Sequence, residues 1–208
     1  MLPFSLAAGL TCPSHADLAA SLAAEFRPLD EDRLDAGLDG LAIGLSHLRG
    51  EHPLDQLEAL AGVMAAFEAI DAPLDPRAVH LDVALDRLMG PPTTLAVIAV
   101  ETGRRAGFDV GVVGDGRRHL VAHRRHDGPV AFDPTVPAVC DVEECRIGWR
   151  CSHQLAFALL REHLDRALRV GDLAGALRAA ELRLELPLEP HVLERLTVEL
   201  WSLRSRLN

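Results

Sequence analysis

Apolar residues recur at helical spacing along most of this chain. "HADLAASLAAEF" (15–26) repeats Ala and Leu on one helical face, and "DEDRLDAGLDGLAIGLSHL" (30–48) does so after an acidic start that suits the positive end of a helix. "HPLDQLEALAGVMAAFEAI" (52–70) predicts a third helix with Pro53 near its start, and "DPRAVHLDVALDRLMG" (75–90) a fourth, stopped by Gly90 and the Pro91-Pro92 pair. A fifth begins at "TTLAVIAVETGRRAG" (93–107), with Thr93 or Thr94 as its N-cap and Gly107 just beyond its end. Leu95, Val97, Ile98 and Val100 leave few polar positions in its first turns, so this helix is expected to be central and buried.

The period then changes. "FDVGVV", "RHLVAHR" and "PVAFD" are short, rich in Val and Phe, and separated by "GDG" and "HDG", which predicts a three-stranded antiparallel meander over 109–134. "VPAVCDVEECRIGWRC" (136–151) reads as irregular. From about residue 152 three amphipathic helical segments follow, jointed at Gly171-Asp172 and at 187–190. The expected fold is α+β: mostly helical, with no strand before residue 90, no parallel pairing, and a C-terminal helical tail. The domain reading is 1–148 as a core with N-terminal helices and 149–208 as the tail. The tail's short-jointed pairs resemble one tetratricopeptide-like repeat with a capping helix. A single such unit cannot bury its own apolar face, so the tail must pack on what precedes it.

Composition narrows the function. A chain of 208 residues with 49% hydrophobic and 25% charged residues is a folded protein, and a net charge of -10 argues against a phosphate-neutralising nucleic-acid surface. No run reaches the roughly 18 apolar residues of a membrane span, and the apolar opening lacks the preceding basic residue of a secretory signal. Cytoplasm is the expected location, and four cysteines in a chain this long do not form a disulfide scaffold.

Three histidines, His119, His123 and His126, crowd the second predicted strand and its turn, and Asp133 closes the third. A hydroxyl residue opening a buried helix, then His119, then Asp133, places nucleophile, base and orienting acid in order. A helix N-terminus favours an anionic nucleophile, His takes its proton, and the carboxylate fixes the imidazole. Side chains alternate along a strand, so His119 and Asp133 share a face only for certain registers. A two-residue Asp127-Gly128 turn separates them; a three-residue turn, 126–128, sets Val121 opposite Asp133 and unites them. The triad requires the second turn.

Through "DPRAVHLDVALDRLMGPPTTLAVIAVETGRRAGFDVGVVG" (75–114), "RHLV", "AFDPT" and the tail "LREHLDRALRVGDLAGALRAAELRLEL", the chain resembles the SirB-like branch of the transglutaminase-core proteins, which share a papain-like fold. The resemblance puts a small hydroxyl residue, usually Ser, where true transglutaminases carry the nucleophilic Cys. Here that residue is Thr94, and the family His and Asp fall on His119 and Asp133. Thr replaces the usual Ser, "RRHL" stands in place of a Pro-Gly-His-Phe type turn, and Thr135 replaces an aromatic residue. A threonine hydroxyl is far less acidic than a thiol and its methyl crowds attack. The resemblance therefore implies a transglutaminase-like domain without catalysis, binding a protein or peptide in the old cleft and needing no cofactor. One alternative is a weak hydrolase or acyltransferase using Thr94, His119 and Asp133. Another is a zinc-binding module built on Cys140, Cys145, Cys151 and His153, which lack the tight Cys-x2-Cys knuckle. A metal set of His119, His123 and Asp133 is a further arrangement that the strand parity allows.

Overall fold

The computed structural model describes residues 1–70, 75–114, 118–125, 130–141 and 148–206. Helices come first: α1 (Phe4–Ala8), α2 (His15–Ala24), α3 (Glu31–Ile43) and α4 (Pro53–Met64). Their starts are chemically marked. Ser14 Oγ accepts from the Asp17 N–H at 2.9 Å, the Asp30 carboxylate from the Arg33 N–H at 3.0 Å, and Pro53 takes the first helical position of α4, where its missing N–H costs nothing.

A two-residue parallel pair follows, β1 (Glu68–Ala69) with β2 (Met89–Gly90), bracketing α5 (Leu81–Arg87). It corrects the expectation of no strand before residue 90 and no parallel pairing. Leu88, at the end of α5, adopts a left-handed conformation (φ 50°) that turns the chain back, so its carbonyl accepts from the Glu68 N–H at 2.8 Å. No hydrophobic period announces such a turn.

The long buried helix α6 spans Pro92–Arg105, two residues earlier at its start than any threonine cap would place it. Pro92 occupies its first position and no side chain caps it, so Thr93 and Thr94 lie inside the first turn rather than ahead of it. Every residue from Thr93 to Gly103 is buried. At the far end Gly107, with φ 89°, terminates the helix as expected, and the Phe108 N–H returns to the Gly103 carbonyl at 2.9 Å.

The sheet is larger than the expected meander. It comprises β3 (Val110–Gly114), β4 (His119–His123), β5 (Val130–Asp133), β6 (Val136–Asp141) and β7 (Gly148–Trp149), all antiparallel, in the order β6-β5-β4-β3-β7. The stretch read as irregular supplies both edges. One face, with Val110, Val112, Val121 and Phe132, joins the main core. The reverse face carries a small separate cluster of Val113, Leu120 and Ala131.

The tail is α7 (Ser152–Val170), α8 (Leu173–Arg183) and α9 (Pro190–Ser205). It packs back on the chain's beginning. Ser152 Oγ donates to the Pro13 carbonyl at 2.7 Å, the His163 ring stacks on Phe26 at 3.9 Å, and Arg178 pairs with Glu25 at 2.5 Å. Among the described residues, no helix is long and apolar enough to cross a membrane.

Candidate functional site

Because α6 starts at Pro92, the helical rotation between adjacent residues aims the two threonines differently. Thr94 is fully buried, and its Oγ1 donates to the Val79 carbonyl at 3.0 Å. Thr93 instead faces the sheet: its Oγ1 lies 3.2 Å from His119 Nδ1 and 2.5 Å from Glu162 Oε1. Glu162 comes from the middle of α7, and its other oxygen accepts from Arg166 Nη1 at 3.1 Å, one helical turn on. Thr93 and Arg166 are buried, whereas the Glu162 side chain keeps 24% of its surface in solvent.

A hydroxyl has one proton to give. The shorter contact sends the Thr93 proton to the Glu162 carboxylate. His119 then faces Thr93 Oγ1 with Nδ1–H as donor, an assignment made from the hydrogen-bond network. In that arrangement His119 steadies the hydroxyl but does not take its proton.

Asp133 is placed by a register other than either considered above. Val121 pairs with Phe132 and Ala122 with Ala131, one step from the pairing of Val121 with Asp133. Alternation along this ladder groups His119 with Val121 and Phe132, and Asp133 with Leu120 and Ala131. The Asp133 carboxylate accepts from the Thr135 N–H at 2.9 Å and the Thr135 hydroxyl at 2.6 Å, and Arg118 Nη1 lies 3.8 Å away. A register shift between Phe132 and Asp133 on the β6 side accompanies this turn. The hairpin turn that would link the two candidate registers, 126–129, lies outside the described residues.

His123 shares the His119 face but has a structural post. The Arg125 N–H donates to its Nδ1 at 3.1 Å, so Nε2 carries the proton and donates to Gln56 Oε1 at 3.0 Å. Gln56 in turn donates to the Leu48 carbonyl at 2.9 Å and the Glu51 carbonyl at 3.2 Å. Together they tie the sheet to the start of α4, beside a cavity of about 650 Å³ that shares no lining residue with the Thr93 cluster. Of the late cysteines, Cys140 lies in β6 and Cys151 immediately before α7, both exposed. His153 Nε2 lies 3.0 Å from the Ala8 carbonyl, and Cys145 is outside the described residues. Among the described residues, no three His, Cys, Asp or Glu side chains are grouped to hold a metal ion.

The family model of the transglutaminase-like superfamily matches residues 17–170. The chain belongs to the transglutaminase-like superfamily. No curated protein and no solved structure gives a significant match. The matched span of this transglutaminase-like chain ends with the last residue of α7, so the helix bearing Glu162 falls inside it.

Sequence patterns offered Thr93 only as a helix cap and did not point to Glu162 or Arg166. Glu162 lies 69 residues beyond Thr93, a separation that no local pattern bridges. One signal was available: Glu162 and Arg166 stand an i,i+4 step apart, with Leu159, His163 and Ala167 buried around them.

Proposed function

We propose that this transglutaminase-like domain, of the SirB-like branch with a tetratricopeptide-like tail, has no acyl-transfer activity and binds a protein or peptide in the cytoplasm. One observation carries the reading. The hydroxyl at the nucleophile position, on Thr94, is fully buried and donates its proton to the Val79 carbonyl, an acceptor that cannot act as a base. Attack by this oxygen would require a carbonyl carbon to reach a position closed to water. Cys12, Cys140 and Cys151 are exposed and unpaired among the described residues, which supports a reducing compartment.

The hydrolase alternative gains from one feature, the contact between Thr93 and His119. It loses by two others: Thr93 is 2% exposed, and its proton points at Glu162. The experiment is labelling of the full chain with a fluorophosphonate and with an activated acyl ester, beside Thr93→Ala and Thr94→Ala. The expected result is no labelling at either threonine. Labelling that either substitution abolishes would overturn the non-catalytic reading. The binding half is tested by selecting displayed peptides on the folded chain. Enriched peptides should lose binding with His119→Ala, and failure to enrich any family of peptides would refute it.

A further inference from the structure

Buried donors from two elements converge on a single carboxylate. Thr93 from the first turn of α6 holds Glu162 Oε1 at 2.5 Å, and Arg166 from α7 holds Oε2 at 3.1 Å. His119 from β4 backs the same threonine hydroxyl at 3.2 Å. Thr93 is 2% exposed, and the Arg166 side chain keeps 6% of its surface in solvent against 24% for the Glu162 side chain they hold. This inverts the usual surface ion pair, in which a long basic side chain reaches from solvent to an acid. Here the cationic and hydroxyl partners form the floor, and the carboxylate enters from the solvent side. A buried guanidinium requires a counter-charge, because leaving it unpaired in the interior is costly. The first turn of the 14-residue helix α6 adds a partial positive charge on the same side.

We propose that Thr93, His119 and Arg166 form a carboxylate-binding socket, filled at rest by Glu162, and that a carboxylate of the bound peptide takes Glu162's place. The proposal rests on the binding reading given above and assigns the chemistry of the bound group. Two peptide groups carry that chemistry, an acidic side chain and a free C-terminus. Displacement exchanges one charge for another of the same sign, so the socket stays neutralised throughout. Glu162 then acts as a built-in competitor that sets a threshold for ligand affinity.

The test opens the socket in the full chain. Glu162→Ala removes one methylene and the carboxylate, the atoms that acetate restores. The thermal midpoint and the nitrogen resonances of the His119 ring are followed during titration with acetate and with acetamide. Glu162→Ala is expected to unfold at a lower temperature than the native chain and to recover saturably in acetate, with a response at least about tenfold weaker for acetamide. The native chain is expected to show no saturable response. N-acetylglycine and N-acetylglutamic acid α-amide then separate the two sources, the tighter one naming the peptide group and equal binding showing that the carboxylate alone is read. Should Glu162→Ala fail to fold, Glu162→Gln preserves the side-chain volume and carries the same titration at the His119 ring. Acetate and acetamide acting alike on the variants, or acetate acting equally on the native chain, would overturn the socket. The fluorophosphonate result stands apart. A chain that stays unlabelled but is blind to acetate loses only the socket, whereas labelling at a threonine strikes the reading beneath it.

Discussion

Acidification should unfold this protein through histidines that the fold keeps neutral. His80 and His163 stack in parallel, 5.3 Å between centroids, with Phe26 against both rings. Burial, reinforced by His163, depresses His80 to about 3. Burial likewise depresses His163 to about 4, and burial with the nearby Arg104 depresses His15 to about 4. In the unfolded chain each returns to its ordinary value near 6.5. Between there and about pH 4 the unfolded chain therefore binds protons that the folded one refuses, and stability falls as pH falls. At about pH 5.5 each unfolded histidine is roughly nine-tenths protonated, which costs the fold about 1.4 kcal/mol per residue relative to about pH 7.5. That figure depends on the unfolded value and hardly on whether the folded one is 3 or 4. The three together cost about 4 kcal/mol, a large part of an ordinary domain's stability. Glu101, whose carboxyl burial pushes upward, works in the opposite sense, so the informative quantity is a difference between variants. His80→Phe keeps an aromatic ring in the stack and sacrifices no hydrogen bond, since both His80 ring nitrogens are buried without a partner. Urea unfolding of both proteins at about pH 7.5 and about pH 5.5 should show His80→Phe losing about 1.4 kcal/mol less than the native chain. Equal losses would show that His80 does not titrate on unfolding and would refute the reasoning.

Thr94→Val keeps the shape of the side chain but leaves the Val79 carbonyl without its donor; a loss of about 1–3 kcal/mol in urea unfolding is expected. Thr94→Cys should resist iodoacetamide while folded and react once unfolded, because position 94 is fully buried; rapid alkylation of the native fold would contradict the placement. Gly171→Ala should cost about 1–2 kcal/mol even though nothing stands within 4 Å of the added methyl, because Gly171 ends α7 with φ 77°. Gly103→Ala should lower the melting temperature despite alanine's better helix propensity, since its methyl would lie 2.7 Å from Val110 Cγ2 and 3.0 Å from Leu60 Cδ2.

The fold was legible where local chemistry decides it. The apolar run Leu95–Val100 marked the central helix, Gly107 its end, and the Val-rich alternation the inner strands. It was less legible where pairing partners decide. β6 and β7 lack a periodic pattern and take strand geometry from their neighbours, Trp149 being held in addition by Arg124 stacked 4.3 Å over its ring. The site depended on two single-residue uncertainties. Starting α6 at Pro92 settles which hydroxyl meets His119, and a one-step register difference settles which face Asp133 shares. Neither choice alters hydrophobic periodicity, so neither can be read from it. Glu162 belongs to a third kind, a long-range contact whose partner lies on another element.

The closing of the chain on its own beginning has a consequence for synthesis. Phe26 is made 137 residues before the His163 it stacks on, and Pro13 waits 139 residues for Ser152. At roughly 5–20 residues per second, the opening helices leave the ribosome roughly seven to thirty seconds before the surface that covers them. During that interval the Phe26 ring and the apolar flank of α2 have no cover from α7. A nascent chain stalled before residue 152 is therefore expected to be a substrate for chaperones that recognise apolar helices, and release of α7 to end that dependence.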